Sequence, residues 1–344
     1  MPKSSSSLVS NNLSINLAII IPVYNEQATL PDLFKRLSAV RNNLATKNVR
    51  TYLIFVNDGS KDKSANILDK YVKTHKDSVA IHLTKNFGHQ AALSAGYKYV
   101  VERFGNMAEE LSHKVDAKNS APTENFSTSN FYVVTIDADL QDPPELIEKM
   151  LGKAIKQNLD IVYARRRKRT EKGFKVITAD LFYRLIQSIS SVNIPFEVAD
   201  FRLSTLQMVQ EALKVGQTPR FWRGIFASLS SRVGFVYYNR KDREKGVTGY
   251  SLTKMLKLAI TAVTGFGDKL PIFMGYGAGL VLIIDLLSIF VPYFSYTYRE
   301  WRLLAWFVTT AYVVVTLMLL TWYKAVEFMG KLPEYVVRRV EGES

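Results

Sequence analysis

The chain has 344 residues, a formal net charge of +14 and no cysteine. This length allows one large domain or two modest ones, and the lack of cysteine excludes disulfides, thiolate catalysis and thiolate zinc sites. The four histidines are not closely paired, which argues against a histidine zinc site. The positive charge predicts an anionic partner, such as nucleic acid, a membrane surface or a phosphorylated substrate.

Alternating strands and helices predict an α/β domain over residues 17–248. The preceding residues, 1–16, have no apolar core of signal-peptide type and are expected to form a disordered tail. The predicted strands cover 17–24, 52–58, 79–83, 133–136 and 159–164, and the predicted helices cover 29–44, 64–73, 90–103 and a segment from 145. This order is typical of parallel βαβ units in a doubly wound sheet. Residues 105–130 are polar and aperiodic, which predicts a surface insertion without a catalytic role.

Acidic side chains follow three of the predicted strands. Glu26 and Asp58 come after the first two strands, and Asp137 and Asp139 come after the fourth. Because the carboxyl ends of parallel strands meet at one edge of a sheet, these side chains should border one pocket. Two aspartates one residue apart offer oxygen ligands to Mg²⁺ or Mn²⁺, which binds a diphosphate in turn. Capping of the next helix explains Asp142 but neither member of that pair.

The C-terminal third contains two long apolar stretches. Leu270 to Phe294 has 25 residues with one charge, Asp285, and Leu303 to Tyr323 has 21 residues with none. At about 1.5 Å per residue each could cross a hydrocarbon core of roughly 30 Å, so two transmembrane helices are predicted over 269–326, with a buried soluble hairpin as the alternative. Basic residues flank the pair on both outer sides, which predicts a cytoplasmic catalytic domain and a cytoplasmic tail at 327–344. Asp285 is costly in lipid and should face the other span or a partner subunit. Since two thin spans and Asp285 both favour partners, a homo-oligomer is expected.

Residues 249–268 connect the α/β domain to these stretches. Their apolar side chains recur at helical spacing, with Lys254 and Lys257 off the apolar stripe. This pattern predicts an amphipathic helix at the membrane interface, and packing against the catalytic domain is the alternative. At the interface the helix would hold nearby basic residues at the depth of lipid headgroups.

Four motifs occur in order along the chain: Pro22-Val-Tyr-Asn-Glu26, Asn57-Asp-Gly-Ser60, Asn86-Phe-Gly-His-Gln90 and Asp137-Ala-Asp-Leu-Gln-Asp-Pro-Pro144. Together they closely resemble family 2 glycosyltransferases of the GT-A fold, which is Rossmann-like with a mostly parallel sheet. The subgroup to which they are similar transfers a sugar from a nucleotide to a polyprenyl phosphate. It includes bactoprenol (undecaprenyl-phosphate) glucosyltransferases and dolichol-phosphate mannose synthase.

The resemblance implies a donor site with a metal ion. Asp139 and Gln141 would coordinate Mg²⁺ or Mn²⁺, and Asp137 would lie close to the ribose and the metal. Ordinary loop hydrogen bonding is the alternative for Asn86 and His89. The residues implied in binding the nucleotide sugar are Pro22, Tyr24, Glu26, Asp58, Asn86, Gly88, Gln90 and Asp137.

A nucleotide diphosphate and a lipid phosphate would meet in this site, which brings several negative charges together. Arginines should offset the negative charge that the metal does not neutralise. Arg165 follows a strand end, which favours a phosphate ligand in the nucleotide-sugar site. The basic run after it, residues 166–169, is typical of solvated surface. It is expected in a mobile loop on the acceptor side, Arg165 to Lys175, or on a surface for lipid headgroups.

Two later stretches, 199–203 and 240–254, extend the resemblance. Asp200 is expected near the reacting centre and Arg202 on a phosphate, with a simple ion pair between them as the alternative. The expected catalytic residues are Asp200, Arg202 and Asp139. The expected acceptor-phosphate ligands are Arg202, Arg240, Arg243 and Ser251.

The implied reaction is an inverting transfer of a single sugar at the cytoplasmic face of a bacterial plasma membrane. UDP-glucose and undecaprenyl phosphate are the first choices, and transfer from GDP-mannose to dolichyl phosphate is an alternative. A processive polysaccharide synthase is a second alternative, because 217–222 is close to its Gln-x-x-Arg-Trp motif, but Phe221 intervenes and two spans make no channel. A membrane-tethered binding protein is the non-enzymatic alternative. Nucleic-acid binding is not expected, since no recognisable reading module is present.

Overall fold

The computed structural model describes residues 14–105, 130–167, 198–215, 220–230, 232–239, 306–319 and 335–342, together with positions 276, 279, 280 and 283. The strands in these residues are β1 (Ile15–Val23), β2 (Val49–Asn57), β3 (Ser78–Leu83), β4 (Phe131–Thr135), β5 (Ile161–Arg166), β6 (Val198–Thr205), β7 (Val233–Tyr238) and β8 (Val337–Glu341). The helices are α1 (Leu30–Ala45), α2 (Ser64–Thr74), α3 (His89–Val100), α4 (Leu146–Gln157), α5 (Leu206–Lys214) and α6 (Trp222–Leu229). A π-helical turn, Val101–Gly105, follows α3, and residues 306–319 are also helical.

The eight strands form one sheet in the order β7-β5-β6-β4-β1-β2-β3-β8. β1 is parallel to β2 and β4, β2 is parallel to β3, and β5 is parallel to β7. β6 is antiparallel to β4 and β5, and β8 is antiparallel to β3. The predicted α/β fold with a mostly parallel sheet is therefore confirmed. The bounds predicted for β1 to β5 and for α1 to α4 lie within three residues of those in the structure.

Helices cover both faces of the sheet. Leu17, Ile19 and Ile21 of β1 pack on the face that carries α1, α2 and α4, whereas Ala18 and Ile20 pack on the face that carries α3, α5 and α6. Because successive strand residues point to opposite faces and both faces are covered, β1 is a continuous apolar run. Polar side chains therefore gather at the ends of the strands.

One edge of the sheet carries the loops that follow six of the eight described strands. The carboxyl ends of β1, β2, β3, β4, β5 and β7 all lie along it, because these strands run in the same direction. β6 runs the opposite way, so its first residues lie at this edge. We call it the carboxyl edge, and the expected ligand crevice of an open α/β sheet is at such an edge.

Both expected tails contain strand residues that the sequence did not predict. β1 begins at Ile15, inside the expected tail 1–16. Val337–Glu341, within the expected tail 327–344, pairs with β3 as an edge strand, and Arg339 forms an ion pair with Asp69 of α2. The sequence of β8, Val-Arg-Arg-Val-Glu, is short and charged, as edge strands often are, and it has no apolar run that would reveal it.

The prediction that Asp142 caps a helix is wrong. α4 begins at Leu146, and its N-cap is Glu145, whose side chain makes no capping hydrogen bond. Asp142 is instead 1% exposed and accepts a hydrogen bond from the Tyr238 hydroxyl. Two prolines separate Asp142 from the helix, which leaves its carboxylate pointing into the domain.

Several predicted segments lie outside the residues that the structure describes. They are 106–129 of the predicted insertion, the amphipathic helix 249–268 and most of the two predicted spans at 269–326. Among the described residues, no helix combines the length and the apolar character needed to cross a membrane.

Candidate active site

Three predicted nucleotide-binding residues lie at or just beyond the end of β1. Pro22 is inside the strand, and Tyr24 follows it with 41% of its surface exposed. The amide of Glu26 donates to Ser64 Oγ (2.9 Å), and the Glu26 carboxylate accepts from the Thr29 hydroxyl (2.7 Å). The loop after β1 is thus attached to the start of α2, with the Tyr24 ring presented at the carboxyl edge.

Asp58 holds the loop after β3. Its Oδ1 accepts from the amide of Phe87 (2.7 Å), and its Oδ2 accepts from the amide of Gly88 (2.9 Å). Burial raises the pKa of Asp58, and these two amides oppose the rise. A carboxylate has about four lone-pair sites, so Asp58 can fix this loop and still accept a hydrogen bond from a ligand.

Gly59 lets the loops after β2 and β3 touch. Its backbone is left-handed, with φ of 63°, and a Cβ there would lie 2.3 Å from the carbonyl carbon of Lys85 and 2.6 Å from the amide nitrogen of Asn86. A side chain at this position would therefore displace the loop that contains the predicted donor-pocket residues Asn86 to Gln90.

We expect Gly59→Ala to lower the free energy of unfolding by about 1–3 kcal/mol, because the methyl group must strain a left-handed backbone and displace a neighbouring one. Thermal unfolding of the purified full-length protein measures this. Gly152→Ala is the control, since a Cβ at this position in α4 meets nothing within 4 Å. Equal unfolding temperatures for Gly59→Ala and the parent would contradict the expectation.

Asp200, near the start of β6, binds four side chains. Arg223 donates from Nε to Oδ1 (3.1 Å) and from Nη2 to Oδ2 (3.2 Å), a bidentate geometry. His89 Nε2 and Gln90 Nε2 lie 3.2 Å and 3.4 Å from Oδ2. Arg202 Nη1 donates to Oδ1 at 3.3 Å. The carboxylate is therefore held in one orientation by residues from α3, α6 and β6.

The charges around Asp200 keep it ionised. Burial alone would raise the pKa of this carboxyl, but Arg223, His89 and Arg202 hold it well below its usual range. The His89 side chain is 39% exposed, so it loses only part of its hydration. The carboxylates of Asp137 and Asp200 outweigh that loss of hydration and raise the pKa of the imidazole. Because its charged form is stabilised, Asp200 is a poor proton acceptor.

Arg202 is fully buried, so the expected contact with a phosphate is not available to it in this structure. Its Nη2 donates to the Tyr97 hydroxyl (2.8 Å), and its guanidinium lies 4.3 Å from the centre of the Phe226 ring. Successive residues of β6 alternate between faces, and Arg202 points to the face that α3 and α6 cover. The ion pair with Asp200, which the sequence left open as the alternative, is present.

We expect Arg202→Met to lower the free energy of unfolding by about 3 kcal/mol, because it removes one partner of a buried ion pair and leaves the Tyr97 hydroxyl without its donor. The midpoint of urea unfolding measures the change. Arg232→Met is the matched control, since Arg232 pairs with Asp160 while its side chain is 56% exposed, and a much smaller loss is expected. An Arg202→Met variant as stable as the parent would show that this arginine does not stabilise the fold.

Asp137 and Asp139 lie in the loop after β4. His89 Nε2 is 3.7 Å from Asp137 Oδ1, so one imidazole reaches both Asp137 and Asp200. Asp139 Oδ1 accepts from the amide of Gln141 (3.1 Å). Leu140, which lies between them, has a left-handed backbone with φ of 60°, and this turns the loop back on itself.

Negative charge accumulates around Asp137. Burial raises the pKa of Asp137 to about 6, His89 opposes this rise, and Asp142, Asp139 and Asp200 add to it. In the described part of the chain, no three His, Cys, Asp or Glu side chains form a ready-made metal site. The donor set of this loop suits a hard cation such as Mg²⁺, which binds through one or two carboxylates and takes its other ligands from water and substrate phosphates.

Arg165 lies at the carboxyl edge, at the end of β5. Its guanidinium is 5.4 Å from the centre of the Phe235 ring and 6.0 Å from that of Tyr237, both on β7. Its role on a phosphate stays a prediction. The other predicted acceptor-phosphate ligands, Arg240, Arg243 and Ser251, lie outside the described residues.

His89 and Arg223 make the central contacts, although the sequence assigned neither of them to the site. For His89 the sequence left two possibilities open: a place at the border of the donor pocket, as part of the loop Asn86 to Gln90, and ordinary loop hydrogen bonding. Arg223 follows the stretch 217–222 that is close to the Gln-x-x-Arg-Trp motif, and its neighbour Trp222 is fixed by Gln90. The backbone amide of Trp222 donates to the side-chain oxygen of Gln90, and the Trp222 indole donates to the backbone carbonyl of Gln90, both at 3.1 Å. A Trp-Arg pair at a helix start was the signal that could have identified Arg223.

Comparison with known proteins gives a family match. The model described as glycosyl transferase family 2 matches residues 18–104 and 124–212. "Uncharacterized glycosyltransferase YkcC" of Bacillus subtilis is 36% identical over 269 residues, which cover 78% of this chain and 73% of the relative. A "Bactoprenol glucosyl transferase" of Shigella phage SfX is 28% identical over 291 residues, covering 84% and 82%. Among solved structures, S. aureus TarS 1–349 in complex with UDP-GlcNAc is similar with a TM-score of 0.42 and 11% identity, covering 92% and 91%.

Proposed function

We propose that this chain, which belongs to glycosyl transferase family 2, transfers a single sugar from a nucleotide sugar to a polyprenyl phosphate. Membership of the family supports the nucleotide-sugar donor. The relatives named bactoprenol glucosyl transferases support the lipid acceptor, because the similarity to them extends over most of both chains.

One observation carries the proposal: the loop 86–90 joins three acidic strand ends at the carboxyl edge. Its backbone amides bind Asp58, and its His89 side chain reaches both Asp137 and Asp200. A nucleotide sugar is long enough to contact several side chains at once. In this site the candidate side chains lie around one loop. Elsewhere in the sheet, buried strands offer mainly apolar side chains.

In this arrangement, different residues would bind different parts of the donor. Tyr24 and Asp58 would contact the nucleoside, beside Glu26. Asp137, Asp139 and Gln141 would hold Mg²⁺ or Mn²⁺, which supplies positive charge to a diphosphate leaving group. Asp200 would lie on the sugar side. We keep the remaining nucleotide-sugar residues as proposed from the sequence: Pro22, Asn86, Gly88, Gln90 and Arg165.

The reaction we propose is a single displacement. An oxygen of the acceptor phosphate forms a bond to the anomeric carbon while the bond from that carbon to the nucleoside diphosphate oxygen breaks, and the configuration inverts. A phosphate monoester has a second pKa of about 6, so its oxygen is already nucleophilic near neutral pH. Asp200, with its depressed pKa, therefore serves to position the sugar, Arg223 and His89 rather than to remove a proton.

We further propose that the protein is a homo-oligomer in the plasma membrane, with the active site on the cytoplasmic face. The two apolar stretches at 269–326, with basic flanks, are the basis for this placement. UDP-glucose and undecaprenyl phosphate remain the first choices for the substrates.

Membranes containing the protein, incubated with a panel of labelled nucleotide sugars and with polyprenyl phosphate, test the function. We expect one nucleotide sugar to label a lipid that carries one sugar residue. A polymeric product would instead indicate a processive synthase. Binding of nucleotide without any transfer would indicate a binding protein.

A further inference from the structure

Asp142, Tyr238 and Arg166 form a cluster around a buried carboxylate that the proposed reaction does not use. We call it the Asp142 triangle. The Tyr238 hydroxyl donates to Asp142 Oδ1, Arg166 Nε donates to the Tyr238 hydroxyl (3.2 Å), and Arg166 Nη2 lies 3.6 Å from Asp142 Oδ1. Asp142 and Tyr238 are 1% and 5% exposed. The Arg166 side chain is 30% exposed, so two members of the cluster lie away from water and the arginine is half-buried.

The triangle joins three separate segments at the carboxyl edge. Asp142 ends the loop that carries Asp137 and Asp139, whereas Arg166 and Tyr238 are the last residues of β5 and β7. These two strands are paired with Arg166 opposite Tyr238, and the backbone amide that follows Arg166 donates to the Tyr238 carbonyl (2.9 Å). Two paired strands form a rigid base, and Asp142 attaches the loop to it.

Stability alone is a weak reason for a buried carboxylate here. A buried ion pair often contributes no more to folding than apolar residues of the same volume, because the charges lose their hydration. Asp142 also adds to the negative charge around Asp137, which is a cost to the loop. What the triangle provides is a fixed geometry, since a charge-assisted hydrogen bond restricts both its partners.

We propose that Asp142, Tyr238 and Arg166 are positioning residues for the nucleotide-sugar donor, which hold the 137–142 loop so that Asp137 and Asp139 face the donor diphosphate. The proposal rests on the proposed function. If the three residues position the donor-binding loop, their substitution should weaken binding of the donor and leave binding of the acceptor unchanged. A purely structural role would affect binding of both substrates alike.

Tyr238→Phe in the full-length protein tests the proposal, because it removes only the hydroxyl. We expect the KM for the nucleotide sugar, and the Kd for UDP with Mg²⁺, to rise about fivefold to tenfold, since small misplacements of binding groups can cost up to about 10²-fold. The KM for polyprenyl phosphate should stay within about twofold of the parent value. Tyr237→Phe is the matched control: Tyr237 is the preceding residue of β7, and it is 50% exposed. The substitution keeps the ring that Arg165 contacts, so it should change neither constant.

An unchanged donor KM and UDP affinity in a folded Tyr238→Phe protein would overturn the proposal, as would an equal change in Tyr237→Phe. If Tyr238→Phe does not fold, the same two constants, the KM for the nucleotide sugar and the Kd for UDP, are measured for Arg166→Gln and decide the question. Failure of the proposed function looks different, because the parent protein itself would then transfer no sugar. UDP titration of the parent and of Tyr238→Phe would still judge the triangle in that case.

Discussion

Asp200→Asn is expected to lower kcat by about 10²–10³-fold, which is the size of effect that removal of one preorganised electrostatic group from an active site can have. The substitution keeps the shape of the side chain and removes its charge. Arg223, Arg202 and the protonated form of His89 would then lose the carboxylate that they share. With that partner gone, the cationic groups repel one another and no longer hold the sugar side of the site. Initial-rate assays of folded, full-length protein measure the effect.

Asp160→Asn is the matched control for this experiment. Asp160 also pairs with an arginine, Arg232, but it precedes β5 and so lies at the opposite edge of the sheet. Its amide variant should retain kcat. A kcat for Asp200→Asn within about threefold of the parent would show that the charge on Asp200 is not needed for transfer, since the electrostatic effect expected of it is far larger.

Asp139→Ala is expected to reduce transfer by at least about 10²-fold, with the protein still folded, because it removes a proposed ligand of the cation that supports the leaving diphosphate. Transfer should stay low at every Mg²⁺ or Mn²⁺ concentration. Asp32→Ala, at an exposed position in the first turn of α1, is the control and should leave turnover unchanged. Near-normal turnover of Asp139→Ala in saturating Mg²⁺ would refute the metal assignment.

The sequence was sufficient for the features that depend on strand ends. It places Asp58, Asp137 and Asp139 at one edge because each follows an apolar run, and parallel strands bring such positions together. The structure agrees: Asp58 binds the 86–90 loop, and His89 of that loop reaches Asp137. The order of the first five strands and four helices was predictable for the same reason, since their patterns are long and locally defined. β6, β7, β8, α5 and α6 were not predicted from the sequence.

Features that depend on contacts between distant residues could not be read from the sequence. Arg223 is 23 residues from Asp200, and its role depends on how α6 packs against Gln90. The sequence predicts a phosphate ligand at Arg202, but the helices on its face of the sheet bury it, and its neighbours in sequence do not reveal this. The prediction of a helix cap at Asp142 fails for the same reason, because its partner Tyr238 is 96 residues away.

The most direct test of the account is a structure of the full-length protein with UDP and Mn²⁺, in which the manganese is located by its anomalous scattering. The account predicts manganese within coordination distance of Asp139, with the nucleoside against Tyr24 and Asp58. Manganese and nucleotide bound away from the loops after β1, β2 and β4 would contradict it.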